Sequence, residues 1–198
     1  MTAAEYDPAT ALVVVDVQND FADPGGSLYV RGAENAVAAV NDEVERAAAA
    51  GATIVYTQDW HPPDTPHFDK DGGVWPVHCV GQTWGAELHP RLTVADVALF
   101  VPKGADGQDG YSGFSVRQPV TGERSETGLA DLLRSRGVER VVVVGLATDY
   151  CVKETALDAI RQGFGTTVLA NAIAAVDLQP GDGQRAIDEM RAAGAAVA

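Results

Sequence analysis

Short apolar runs recur along the chain at residues 11–15, 53–56, 97–101, 141–144 and 166–169, with a weaker sixth at 195–197. Runs of this length, rich in valine, predict strands buried on both faces, as in a parallel sheet. Between them the apolar positions change to helical spacing over residues 34–50, 128–136, 151–162 and 184–193. Gly51, Gly137, Gly163 and Gly194 each follow one of these segments, where a residue tolerant of left-handed backbone ends a helix. Strand and helix in alternation specify a three-layer α/β/α fold: a doubly wound, mainly parallel six-stranded sheet, Rossmann-like, with residues 1–198 as one domain. Two connections, 59–96 and 104–127, are long for such a fold. Loops of that length usually carry function, and their His, Trp, Tyr, Phe, Gly and Pro content predicts the walls and lid of a site.

In an open parallel sheet, ligands bind beyond the carboxyl ends of the strands, near the point where strand order reverses. Reading each apolar run to its end therefore yields candidates. The first ends in Asp16, the second leads to Asp59, the third to Lys103 and the fourth into Cys151. A carboxylate beside buried valines needs a partner, and an ammonium supplies one. A Lys–Asp pair next to a thiol is a nucleophilic arrangement in which the carboxylate takes the thiol proton. Cys151 lies where strand gives way to helix, so backbone N–H groups and the helix dipole are expected to favour a thiolate and to hold an oxyanion.

The connection after the second strand carries Asp59, Trp60, His61, then His67, then Trp75, Pro76, Val77, His78. Asp-x-His puts two ligating side chains on one side of an extended segment, and later histidines can complete the set around one divalent ion. Imidazole and carboxylate suit Zn, Fe or Mn, and the sequence leaves the choice open. With these histidines assigned to metal, a Cys–His dyad is the less attractive alternative to Cys–Asp–Lys. His89 is expected to be structural.

Composition narrows the partners. A formal net charge of −14 opposes nonspecific binding to nucleic acid or an anionic membrane and leaves a small neutral or cationic ligand. With 46% hydrophobic residues, a mean hydropathy of −0.04 and no run near the roughly 20 apolar residues of a membrane helix, the chain reads as soluble. Without a basic-then-apolar leader pattern at its start, the expected compartment is the cytoplasm, with Cys79 and Cys151 reduced.

Taken in order, Val14–Val15–Asp16–Val17–Gln18–Asn19–Asp20–Phe21, Asp59–Trp60–His61 with His67, Trp75–Pro76–Val77–His78–Cys79, Lys103–Gly104, Asp109–Gly110–Tyr111–Ser112–Gly113–Phe114, and the run from Gly145 to Cys151 resemble the nicotinamidase branch of the isochorismatase-like cysteine hydrolase superfamily. The resemblance covers nearly the whole chain. It implies hydrolysis of nicotinamide, and of pyrazinamide, in NAD salvage, with Asp16, Lys103 and Cys151 catalytic. Asp59, His61, His78 and, as in some members, His67 become the metal ligands. It further implies a cis peptide between Leu146 and Ala147, an oxyanion hole from the Ala147 and Cys151 N–H groups, and a pyridine slot between Phe21 and Trp75 that Tyr111 closes. Homo-oligomers are frequent in the superfamily, so self-association is allowed. Tyr150 departs from close relatives that carry His there. Three competitors remain at this level: an isochorismatase-type ether hydrolase, disfavoured by Cys151; a metal-independent carbamoyl-group amidohydrolase, disfavoured by Asp59, His61 and His78; and a non-enzymatic metal-binding or thiol-redox module.

Overall fold

Valine-rich segments build the sheet because branched side chains suit a pleated surface buried on both sides. The computed structural model describes residues 4–198. In chain order the strands and helices are β1 (Thr10–Val15), α1 (Asn19–Ala22), α2 (Ala33–Ala49), β2 (Thr53–Asp59), β3 (Leu99–Lys103), β4 (Ser115–Arg117), β5 (Arg124–Glu126), α3 (Leu129–Ser135), β6 (Arg140–Leu146), α4 (Lys153–Arg161), β7 (Gly165–Ala174), α5 (Asp182–Ala193) and β8 (Ala196–Val197). Six of the strands form one sheet in the order β3-β2-β1-β6-β7-β8, every neighbouring pair parallel. The expected fold class is the observed one.

The two faces of β1 divide the core. Leu12 and Val14 pack with Val37, Val40 and Val44 of α2, whereas Val13 and Val15 pack with Leu133 of α3, Ala156 of α4 and Met190 of α5. Alternation within a strand whose six residues are all buried thus serves two helical layers. Strand order reverses between β1 and β6, which opens the crevice at their carboxyl ends.

Three details differ from the sequence-based expectation. The 104–127 connection contains the antiparallel hairpin β4-β5, whose short polar strands lack an apolar run to reveal them. Strand β7 continues to Ala174, past a register shift against β6. Residues Thr148–Val152 form a π-helical turn, and α4 begins only at Lys153, so Cys151 sits in that turn and not at the start of an α-helix. Gly51, Gly137, Gly163 and Gly194 all have positive φ, as their positions after helices require. Among the described residues, no helix is long and apolar enough to cross a membrane.

Candidate active site and metal centre

The carboxyl ends of β1, β2 and β3 lie side by side, so Asp16, Asp59 and Lys103 meet although they are far apart in the chain. Asp16 is in left-handed backbone (φ 48°), a conformation that Asp tolerates better than most residues, and there the chain turns off β1. Lys103 Nζ donates to Asp16 Oδ2 at 2.6 Å, to Asp59 Oδ1 at 2.8 Å and to the Gly110 carbonyl. Three acceptors match the three protons of an ammonium, which satisfies the charge of a lysine with a fully buried side chain. Thr57 Oγ1 donates to Asp16 Oδ1 at 2.6 Å and takes up the second carboxylate oxygen.

Cys151 completes the group. Ligand atoms of Asp16, Asp59 and Cys151 all lie within 4.8 Å of one another. The electrostatics of this cluster follow from one ammonium facing two carboxylates. Burial disfavours the Lys103 charge, but Asp16 and Asp59 outweigh it and hold the ammonium well above its usual range. Burial pushes Asp16 up, against the pull of Lys103. The Cys151 thiol is driven well above its ordinary value by burial and by Asp16 and Asp59, with Lys103 opposing. A helix N-terminus favouring a thiolate was the expectation; Cys151 lies instead in the turn before α4, where burial and the two carboxylates push its thiol pKa up, beside a carboxylate placed to accept its proton.

Next to this cluster stand the histidines. His61, His67 and His78 offer nitrogens that lie within 4.8 Å of one another, all three side chains buried. Asp59 Oδ2 lies 3.7 Å from His61 Nε2 and 3.8 Å from His78 Nε2, while its other oxygen serves Lys103. Burial opposes a charge on Asp59, yet Lys103 and the neighbouring His61 and His78 hold its carboxyl well below the usual range. Neither ring nitrogen of His61 has a hydrogen-bond partner among the described residues. Buried polar atoms without partners are rare unless something else satisfies them. His78 Nδ1 is engaged by the Pro76 carbonyl at 2.8 Å, and its Nε2 is the nitrogen facing Asp59. Orphaned imidazole nitrogens beside a carboxylate oxygen are a donor set that fits a divalent cation.

The aromatic slot lies against both groups. Its lining includes Phe21, Trp75, Tyr111, Ala147 and Cys151, together with His67 and His78. Trp75 Nε1 donates to Tyr111 Oη at 2.7 Å, and the Tyr150 ring meets Trp75 edge-on at 4.8 Å. Phe21 and His78 lie with ring centroids 5.5 Å apart. The Leu146–Ala147 peptide is cis. His89 lies outside this group, near Asp23 and the Arg91 backbone.

Several contributors escaped the sequence reading. Gln18 Nε2 donates to the Asp59 carbonyl at 2.7 Å and its Oε1 accepts from the Asp59 N–H at 2.8 Å, pinning the end of β2 to β1. Gly110 supplies the third acceptor for Lys103, and Tyr150, Leu28 and Val176 add to the slot. Gln18 and Gly110 stand in the motifs that carried the resemblance, but their contacts cross long stretches of chain. Leu28 and Val176 offered no signal at all.

A parallel α/β sheet with acid, amine and thiol gathered at its switch point defines a class, and the chain's relatives give that class its name. The model of the isochorismatase domain matches residues 10–198, and the chain belongs to the isochorismatase family. It is 37% identical over 206 residues to the nicotinamidase of Escherichia coli, covering 96% of this chain and 94% of the relative. The zinc complex of the Pyrococcus horikoshii pyrazinamidase superposes with a TM-score of 0.85 at 38% identity, over 96% of this chain and 99% of the other. PnC1 from L. infantum in complex with nicotinate gives a TM-score of 0.89 at 35% identity, over 100% and 96% of the two chains.

Proposed function

We propose that this chain is an amidohydrolase that converts nicotinamide to nicotinate and ammonia, and pyrazinamide to pyrazinoate, through a thioester on Cys151. The observation that carries the reading is the approach of Cys151 to Asp16 within 4.8 Å beside an aromatic slot. Nicotinamidase and pyrazinamidase relatives that cover most of the chain support the substrate class. Such a reaction returns the pyridine ring to NAD synthesis.

The chemistry follows from the placement of Asp16 between Lys103 and Cys151. Asp16, in its carboxylate form paired with Lys103, takes the proton from Sγ as the sulfur attacks the carboxamide carbon. The N–H groups of Ala147 and Cys151 hold the oxygen as its negative charge develops. As the C–N bond breaks, Asp16 gives its proton to the departing nitrogen, and ammonia leaves. Asp16 then accepts a proton from water as that water attacks the thioester carbon, and returns it to Sγ as the C–S bond breaks, so that Cys151 leaves as the thiol and Asp16 is again a carboxylate. Lys103 stays in contact with Asp16 and Asp59 and offsets part of their charge, which lets a buried carboxylate cycle between its two states. Phe21, Trp75 and Tyr111 sandwich and cover the ring, so that binding energy is spent on orientation.

His61, His67, His78 and Asp59 would hold one divalent cation, with Zn, Fe and Mn all compatible with these donors. When bound, the cation supplies a Lewis-acid anchor for the ring nitrogen of the substrate. The three-histidine cluster favours this reading over a metal-independent carbamoyl-group amidohydrolase, which has no use for it.

The test is ammonia release from nicotinamide by the purified protein, with and without chelator. Turnover that disappears in Cys151→Ala and falls on metal removal is the expected result. Failure with nicotinamide, together with turnover of a carbamoylated amine, would overturn the reading.

A further inference from the structure

Asp109 belongs neither to the reacting groups nor to the ligand set, yet it grips one of the histidines. Its Oδ1 lies 2.7 Å from His67 Nδ1, and its Oδ2 accepts from Arg117 Nη2 at 2.7 Å and Nε at 3.1 Å. The same two residues are joined through their backbones, Asp109 N–H to the Arg117 carbonyl at 2.7 Å and Arg117 N–H to the Asp109 carbonyl at 3.0 Å. Asp109 is 5% exposed. The carboxylate is therefore fixed on both sides.

An ionised carboxylate only accepts, so the contact requires His67 to carry its proton on Nδ1. That leaves the lone pair on Nε2. The three histidines are not equally supported: His78 has its Nδ1 on the Pro76 carbonyl, but neither nitrogen of His61 has a hydrogen-bond partner among the described residues. The His61 ring is instead stacked on His67, centroids 4.5 Å apart and planes 21° from parallel. Phe68 and His78 also meet the His61 ring edge-on, at 5.5 and 5.2 Å, so His67 is the stacked member of the three rings that hold it.

We infer that Asp109, held in place by Arg117, is the positioning residue of the metal centre: it fixes the tautomer and orientation of His67, and through the stacked ring that of His61. This rests on the metal reading above. It also gives the hairpin strand β4, which ends in Arg117, a part in the site. Outer partners of this kind typically change metal affinity by about 10–100-fold.

The test uses the full chain, stripped of metal by dialysis and titrated with Co(II), reading affinity and the visible d–d absorption. Asp109→Ala should weaken Co(II) binding by about 10–100-fold and alter the spectrum. Asp109→Asn, whose side-chain carbonyl still accepts from Nδ1–H, should recover most of that loss. In a His67→Ala background, Asp109→Ala should add nothing, because the two act as one unit. Equal affinity and an unchanged spectrum in Asp109→Ala would overturn the inference, as would the same loss with His67 already removed, which is the mark of a general structural role. A wild-type chain that takes up no Co(II) would instead overturn the metal reading itself, and this assignment with it.

Discussion

Lys103 Nζ lies 2.6 Å from Asp16 Oδ2, and neither side chain has any exposed surface. With Asp59 as its second partner, the lysine sustains two buried carboxylates at once. Removing it strands both. Lys103→Met should cost about 3–5 kcal/mol of stability, the usual result of leaving buried charge unpaired, and should abolish turnover. Chemical denaturation paired with an ammonia assay checks both. A variant as stable as the parent would mean that the pair does not hold this end of the sheet together.

Burial, Asp16 and Asp59 push the Cys151 thiol well above its ordinary pKa, with Lys103 opposing. A raised acid pKa means a smaller thiolate fraction at any given pH than a free thiol has, with an ordinary midpoint of about 8.5. Alkylation of Cys151 by iodoacetamide, followed by peptide mass spectrometry, should therefore be slow at neutral pH and should climb only above the ordinary thiol range. Asp59→Asn removes one of the opposing charges and should bring the rise to lower pH. A rate already at its plateau near pH 7 would contradict this electrostatic account.

A β-carbon on Gly110 would sit 2.7 Å from Asp59 Oδ1 and 3.0 Å from Lys103 Cβ. Both atoms belong to the buried ion pair and cannot retreat into solvent. Gly110→Ala should displace Lys103 and Asp59 and lower kcat on the order of 100-fold, the scale expected for misplaced reacting groups. Gly165→Ala, where the nearest side-chain atom is 3.4 Å away at the far end of the sheet, is the control that should retain activity. Steady-state kinetics of the two variants decides the point.

Trp75 Nε1 and Tyr111 Oη form the one polar link between these two aromatic walls of the slot. Tyr111→Phe deletes the acceptor but keeps the ring. The expected effect is a KM for nicotinamide raised severalfold with little change in kcat, equivalent to about 0.5–1.5 kcal/mol for a lost hydrogen bond. A fall in kcat at constant KM would instead assign Tyr111 to the chemistry.

The pattern of apolar runs was sufficient for the parallel α/β architecture, because strand burial on both faces is written directly as consecutive valines. It also marked Asp16, Asp59, Lys103 and the approach to Cys151, because a polar residue that ends a buried strand stands out against its neighbours. The Asp-x-His spacing extended this to the histidines, and the family motifs added the slot aromatics and the cis Leu146–Ala147 peptide. Tertiary structure alone decided the order β3-β2-β1-β6, which sets three strand ends and the Cys151 turn around one point. It also decided that burial and two carboxylates push the thiol pKa up, that Gln18 and Gly110 serve the ion pair, and that Asp109 grips His67 from across the hairpin connection. The reason is physical: strand identity is a local property of consecutive residues, whereas desolvation and charge coupling depend on which distant segments packing brings together.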